Sequence, residues 1–164
     1  MIESERQARN TSMLKQCHPV FGARVATIIG LMEALSFKPR IQQAYRSADQ
    51  QAEALKSKHS SVAFSFHMAT AADGTPEALA VDLLEDSAPL HPPMAYLTRL
   101  AAIAAQHTCR TGILWGLAPG PRERMQDAIT SGRWGYVGPI GWDACHVEVA
   151  DVMLLEAKAG KRPL

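Results

Sequence analysis

The clearest periodicity in the chain runs from Val20 to Leu35, where Val20, Phe21, Val25, Ile28, Ile29, Leu31, Met32 and Leu35 recur at helical spacing. It predicts a core-facing helix that Lys38-Pro39 ends. Before it, residues 3–16 are polar and moderately helical, with Met13 and Leu14 as the only strong apolar positions, and His18-Pro19 breaks the segment. Residues 41–46 are short and extended in character. Ser47-Ala-Asp-Gln50 then forms a capping box that opens a helix to about residue 58, with a modest apolar face of Ala52, Ala54 and Leu55. Residues 59–77 are rich in Ser, His, Thr, Gly and Pro and predict a loop. An apolar strand follows over 78–84 with Asp82 in its middle, then a helix over 93–107 that places Leu97, Leu100, Ala101 and Ala104 on one face. Ile113-Leu-Trp115 is a strand candidate, and Pro119 opens an amphipathic segment that stops at Ser131-Gly132. A glycine-rich loop over 132–141 precedes the alternating strand His146-Val-Glu-Val149, and residues 150–159 are helical in character. Helices come mostly early and the strands are short and scattered, without regular βαβ alternation, which predicts an α+β fold.

Composition narrows the function classes. A chain of 164 residues with 47% apolar and 20% charged positions is expected to form one domain over 1–164 whose core needs neither disulfide nor structural metal. Lys+Arg 17 against Asp+Glu 16 gives a net charge of +1, without the basic footprint of a nucleic-acid binder or the polybasic cluster of a membrane-surface protein. No nucleic-acid or membrane partner is therefore expected, and the chain is expected to act as a monomer. The three cysteines, Cys17, Cys109 and Cys145, include no Cys-x-x-Cys pair, so neither a zinc ribbon nor a thioredoxin motif is present, and a reducing compartment is the simpler expectation. The first residues contain no apolar segment of the secretory type, so the expectation is synthesis in the cytoplasm without a signal peptide.

The phosphate loop of nucleotide-binding proteins, the glycine fingerprint of dinucleotide binding, the nucleophile elbow of α/β-hydrolases and the His-Glu-x-x-His zinc motif are all missing. What remains is a dispersed set: Arg46 in Tyr45-Arg-Ser47, His67 in Ser65-Phe-His67, Asp82 in Ala80-Val-Asp82, and the run from Asp143 through His146 to Glu148. A carboxylate in an apolar strand is costly to bury unless it is paired or binds a metal. His146 and Glu148 share a strand face, with Asp143 in the turn just before them. Two histidines and an aspartate suit zinc and leave a fourth position for water, from which a nearby carboxylate can take a proton. Taken singly, each residue has a plain structural role: a core histidine, a strand-end aspartate, a turn cap.

In order, however, Tyr-Arg-Ser, Ser-x-His, Ala-x-Asp-Leu and Asp-x-x-His-x-Glu resemble the zinc D-Ala-D-Ala carboxypeptidase and L-alanyl-D-glutamate peptidase family, which includes the vancomycin-resistance D,D-dipeptidases and many phage endolysins. The motifs span about residues 39–149. The resemblance implies a small α+β fold with an antiparallel sheet, shared with the hedgehog signalling domain, and hydrolysis of bacterial cell-wall stem peptides. Carried over by position, it implies zinc held by His67, Asp82 and His146, Asp143 as general base, and Arg46 on the developing oxyanion or a substrate carbonyl. It further implies Glu148 orienting a ligand or the substrate amine, and Ser65 bracing the ligand loop. Asp73 is the alternative third ligand, one residue short of the family's usual spacing. Asp82 is preferred for its strand context, because Asp73-Gly74 is a natural turn pair.

The expected function is therefore a zinc-dependent peptidoglycan peptidase, an L-alanyl-D-glutamate endopeptidase of the endolysin kind without a separate wall-binding domain, released through a membrane lesion made by another protein. A D-alanyl-D-alanine dipeptidase or carboxypeptidase and a non-catalytic zinc-fold binding module are the alternatives. Residues 117–141 separate Trp115-Gly116 from Asp143. With Arg122, Arg124, Trp134, Tyr136 and the neighbouring Trp142, they form either a substrate-covering lid or a packed loop. Alternation turns Cys145 away from His146's face, as a packed thiol. His59, His91 and His107 are expected at the surface or in loops, His18 in a structural role, and the methionines in the core.

Overall fold

The computed structural model describes residues 1–57 and 62–164. Six α-helices, one 3-10 turn (Phe66–Met68) and four strands are present among these residues: α1 (Glu3–Leu14), α2 (Pro19–Ala34), β1 (Pro39–Gln43), α3 (Ala48–Lys56), β2 (Ala80–Glu85), α4 (Met94–Gln106), β3 (Cys109–Gly112), α5 (Pro119–Thr130), β4 (Asp143–Val149) and α6 (Leu154–Lys158). The strands form one sheet in the order β1-β2-β4-β3, and every neighbouring pair is antiparallel. The fold is a small α+β domain. No described helix is long and apolar enough to cross a membrane.

The helical periodicity of α2 has its physical cause in the core. Phe21, Val25, Ile28 and Met32 are fully buried, each worth roughly 1.5–3 kcal/mol of burial, whereas Leu31 and Leu35 stay 40% and 41% exposed at the rim. From α4, Leu97, Leu100 and Ala104 close over the same core, and the Tyr96 hydroxyl donates to the Leu83 carbonyl at 2.9 Å. Val81, Leu83, Val147 and Val149 supply the strand side of this layer. Period-two alternation then turns Asp82, His146 and Glu148 to the opposite face of the sheet.

The polar helix α1 has a different purpose. The Asn10 amide donates to the Pro39 carbonyl at 2.9 Å and accepts from the Ile41 N–H at 2.8 Å. Arg6 donates to the Pro39 carbonyl at 2.7 Å, and Arg9 to the carbonyls of Ile41 and Gln42 at 2.8 and 2.7 Å. Side chains of α1 thus satisfy the free edge of β1, which would otherwise be a pairing template.

Several boundaries differ from the sequence expectation. Ile113-Leu-Trp115 is a turn, not a strand; it closes at Gly116 with φ +74°, and the strand lies just before it, at Cys109–Gly112. The apolar run misleads because buried Ile113 packs from the turn, while the strand's own Arg110 is exposed and polar. The register of β3 on β4 shifts between Thr111 and Gly112, where a Cβ on Gly112 would collide with the Asp143 carbonyl. Asp143 opens β4 rather than lying in a preceding turn. β1 covers 39–43 instead of 41–46, and α6 only 154–158 of 150–159. In α3 the predicted apolar face is absent: Ala52 and Leu55 are exposed, and the buried residue is Gln51. The Ser47–Gln50 capping box is present as predicted.

Candidate metal centre

Antiparallel register builds the site. Asp82 on β2 pairs directly with His146 on β4, and Ala80 with Glu148. His67 arrives from the Phe66–Met68 turn, which is tied to the sheet by Arg46 N–H to the His67 carbonyl and Leu79 N–H to the Phe66 carbonyl, both at 2.9 Å. His67 Nε2 lies 3.4 Å from His146 Nδ1 and 3.5 Å from Asp82 Oδ1; His146 Nδ1 lies 3.2 Å from the same oxygen. A zinc ion bound tetrahedrally at ~2.0–2.1 Å would separate its nitrogen and oxygen ligands by about 3.3–3.4 Å, which is this triangle. Both histidines are buried, at 2% and 6% exposure.

The outer ring nitrogens fix the tautomers. His67 Nδ1–H donates to the Ala44 carbonyl at 2.6 Å, and His146 Nε2–H donates to Glu148 Oε2 at 2.9 Å. Their remaining nitrogens, Nε2 of His67 and Nδ1 of His146, therefore turn lone pairs toward the Asp82 carboxylate. Three converging acceptors repel one another unless a cation lies among them, and either a proton or a metal ion serves. The donor set fits a divalent cation of the zinc type. Glu148 is in turn held by Arg110, whose Nε donates to Oε1 at 2.7 Å, so the carboxylate that orients His146 is itself oriented.

The electrostatics reflect the same convergence. Burial opposes ionisation of Asp82, but hydrogen bonds from His146 and His67 outweigh it and hold the carboxyl well below its ordinary range. Burial likewise disfavours the His146 cation, yet Asp82 and Glu148 lift its pKa to about 9. Asp143 moves the other way. Burial raises its carboxyl, only partly offset by His146, and its Oδ2 stands 3.9 Å from His146 Nδ1. Asp143 thus holds a proton more readily than an exposed carboxylate would, at the edge of the converging ligand atoms.

Arg46 follows β1. Its Nε donates to Gln43 Oε1 at 3.0 Å and its Nη1 to Gln51 Oε1 at 2.9 Å. Neutral amide oxygens fix the guanidinium without neutralising it, and among the described residues it has no ion-pair partner. Gln51 is the buried residue of α3, so this short helix is anchored by the arginine it positions. These side chains line a cleft of about 1130 Å³, walled by Trp115 and Trp142, whose rings lie 5.3 Å apart. The Trp115 ring also packs 5.1 Å from that of His146.

Of the sequence-predicted residues, Arg46, Ser65, His67, Asp82, Asp143, His146 and Glu148 all line this cleft. Among the described residues the buried Ser65 Oγ has no hydrogen-bond partner, and the Ser65 carbonyl accepts from Met68 N–H at 3.0 Å, which closes the turn that carries His67. Asp73 lies apart in an exposed turn, its Oδ1 accepting from Thr75 N–H at 2.9 Å. Burial pushes the Cys145 thiol up to about 12, so it stays protonated and is not among the converging ligands. His91 is exposed, His107 ends α4, His18 precedes α2, and His59 lies outside the described residues. Most of segment 117–141 packs away from the cleft. α5 buries Met125, Ala128 and Ile129, and the Trp134 ring lies under Arg99 at 5.1 Å; of the residues named for a lid, only Trp142 lines the cleft.

Sequence reasoning missed Arg110, Gln43, Gln51 and the Ala44 carbonyl. A cross-strand partner has no local signature, so nothing in the sequence pairs Arg110 with Glu148. No protein-family model, curated protein or solved structure matches this chain.

Proposed function

We propose that this chain is a zinc-dependent peptidoglycan peptidase that cleaves a stem-peptide bond, with the fold of the hedgehog and D,D-peptidase group. The observation that carries the reading is the convergence of His67 Nε2, His146 Nδ1 and Asp82 Oδ1 within 3.5 Å, with Asp143 and Arg46 on the same cleft. The ordered motifs support the same family. A bare structural zinc site would need neither a carboxylate of raised proton affinity nor an unneutralised guanidinium beside it.

When bound, the divalent cation supplies Lewis-acid chemistry, polarising a carbonyl and acidifying water. His67, Asp82 and His146 would hold it, with Ala44 and Glu148 locking the two rings. Asp143 takes the proton of the attacking water and passes it to the leaving amine, a transfer its elevated pKa favours. Arg46, immobilised by Gln43 and Gln51, donates hydrogen bonds where negative charge develops on the carbonyl oxygen. Trp115 shields the His146 ring on the cleft side. The preferred bond is L-alanyl-D-glutamate, in an endolysin made in the cytoplasm and reaching the wall through a membrane lesion; a D-alanyl-D-alanine dipeptidase would use the same groups.

The test is mass spectrometry of soluble fragments released from purified Gram-negative sacculi, with and without a zinc chelator. Fragments cut after L-alanine, absent with chelator, are expected. Chelator-insensitive release refutes the metal-dependent reading. No release from sacculi, with cleavage of D-alanyl-D-alanine, moves the assignment to the dipeptidase.

A further inference from the structure

Among the described residues, Arg110 is the one cleft-lining arginine not used in the scheme above. It lies on β3, opposite Glu148 in the register, with its side chain 44% exposed while that of Glu148 is 8% exposed. Only its Nε is engaged, at 2.7 Å from Glu148 Oε1. Its Nη1 and Nη2 have no hydrogen-bond partner among the described residues. A guanidinium tethered through Nε keeps its end-on fork free, the edge that grips a carboxylate through two parallel hydrogen bonds. Because the tether is a buried carboxylate, the fork is also held in place before any ligand arrives, which lowers the cost of ordering it.

The strand order adds direction. Arg46 follows edge strand β1, the ligands Asp82 and His146 sit on the central strands, and Arg110 is on the opposite edge strand β3. At ~4.8 Å per strand, the β1 and β3 backbones are about 14 Å apart. The two guanidiniums are anchored separately, Arg46 by Gln43 and Gln51 and Arg110 by Glu148, on opposite sides of the converging Asp82 and His146. With Arg46 on the reacting carbonyl, Arg110 faces a group farther along the substrate.

We propose that Arg110 selects substrates that carry a carboxylate close to the scissile bond, gripping it through Nη1 and Nη2; this rests on the peptidase reading above. That carboxylate has two possible sources, the free α-carboxyl of a γ-linked glutamate or the C-terminus of a short peptide.

The test measures binding, so it does not depend on turnover. In an Asp143→Asn background, zinc-loaded protein is titrated calorimetrically with two peptide pairs. One is L-alanyl-γ-D-glutamyl-L-lysine with its glutamate α-carboxyl free or amidated. The other is acetyl-L-lysyl-D-alanyl-D-alanine with its terminus free or amidated. The free acid of one pair is expected to bind about ten- to a hundredfold tighter than its amide, which identifies the source. Arg110→Gln is expected to abolish that preference. Arg110→Lys, which keeps the ion pair with Glu148 but lacks the planar fork, is expected to lose most of it while holding zinc as the parent does. No preference in the parent, or a preference retained in Arg110→Gln, overturns the proposal. So does a preference lost only together with zinc, which would assign Arg110 to positioning Glu148 and His146. If the unsubstituted protein cleaves neither free acid but the Arg110-dependent preference is present, the peptidase reading fails and the carboxylate site stands.

Discussion

At the scale of single residues, the site is a set of acceptors that needs a cation. His67→Ala is expected to lose both bound zinc and hydrolysis, whereas Asp143→Ala is expected to keep zinc and lose hydrolysis; metal analysis beside a peptidoglycan assay separates them. In the same analysis Asp82→Ala is expected to strip the metal and Asp73→Ala to leave it, since Asp73 is committed to Thr75 in an exposed turn. The histidine protonation gives a pH dependence with a definite sign. In the metal-free protein the His146 pKa rises from its ordinary 6.5 to about 9 against burial, through Asp82 and Glu148. Its contribution to stability is then fully present below about pH 6.5 and is lost as pH rises through about 9. Asp82, held low, acts in the opposite window, contributing above the ordinary carboxylate value of 3.8 and losing that contribution on acidification. Zinc bound as proposed would displace the His146 proton, so its affinity is expected to rise by up to about tenfold per pH unit between pH 6.5 and 9, and then level off. Chelator competition across that range measures the slope; a flat profile would mean that His146 is not a ligand.

Elements contribute by holding these residues still. Helix α1 has little apolar surface, and its stability in the fold comes from Arg6, Arg9 and Asn10 bonded to the edge of β1. Asn10→Ala leaves the Ile41 N–H without this partner and is expected to cost about 1–3 kcal/mol in denaturant unfolding, with zinc affinity close to the parent's. A loss much below that would mean that the edge of β1 finds water instead. Helix α3 repeats the device on the functional side, where Gln51 replaces an apolar face and fixes Arg46. Glycines at the β3–β4 bulge allow the backbones of Gly112 and Asp143 to approach closely, which sets where Asp143 enters the cleft.

For the whole molecule, the proposed metal binding would be coupled to folding. The candidate ligands come from β2, β4 and the Phe66–Met68 turn, and His67 and His146 are 79 residues apart in the chain, so the unfolded chain has no preformed site. Zinc at a hundred times its dissociation constant is expected to stabilise the fold by about 2.7 kcal/mol, read as a shift in the unfolding midpoint. His146→Ala is expected to abolish the shift. A shift that survived would place the metal elsewhere.

What the chain determined locally was determined well. The face of α2, the cap of α3, the span of α5 and the α+β class follow from spacing and capping chemistry, which act within a few residues. The candidate residues were legible only as an ordered set of motifs, since His67 in a polar loop and Asp82 and His146 in short strands each have a plain structural role when taken singly. Tertiary structure alone decided the rest. Antiparallel register put Asp82 opposite His146 and Arg110 opposite Glu148, and left Asp73 outside. It also turned Ile113-Leu-Trp115 from an apparent strand into a turn, and took most of 117–141 away from the cleft. Strand pairing joins residues distant in sequence through backbone hydrogen bonds that carry no side-chain signature, so it emerges only when the whole sheet closes on its core.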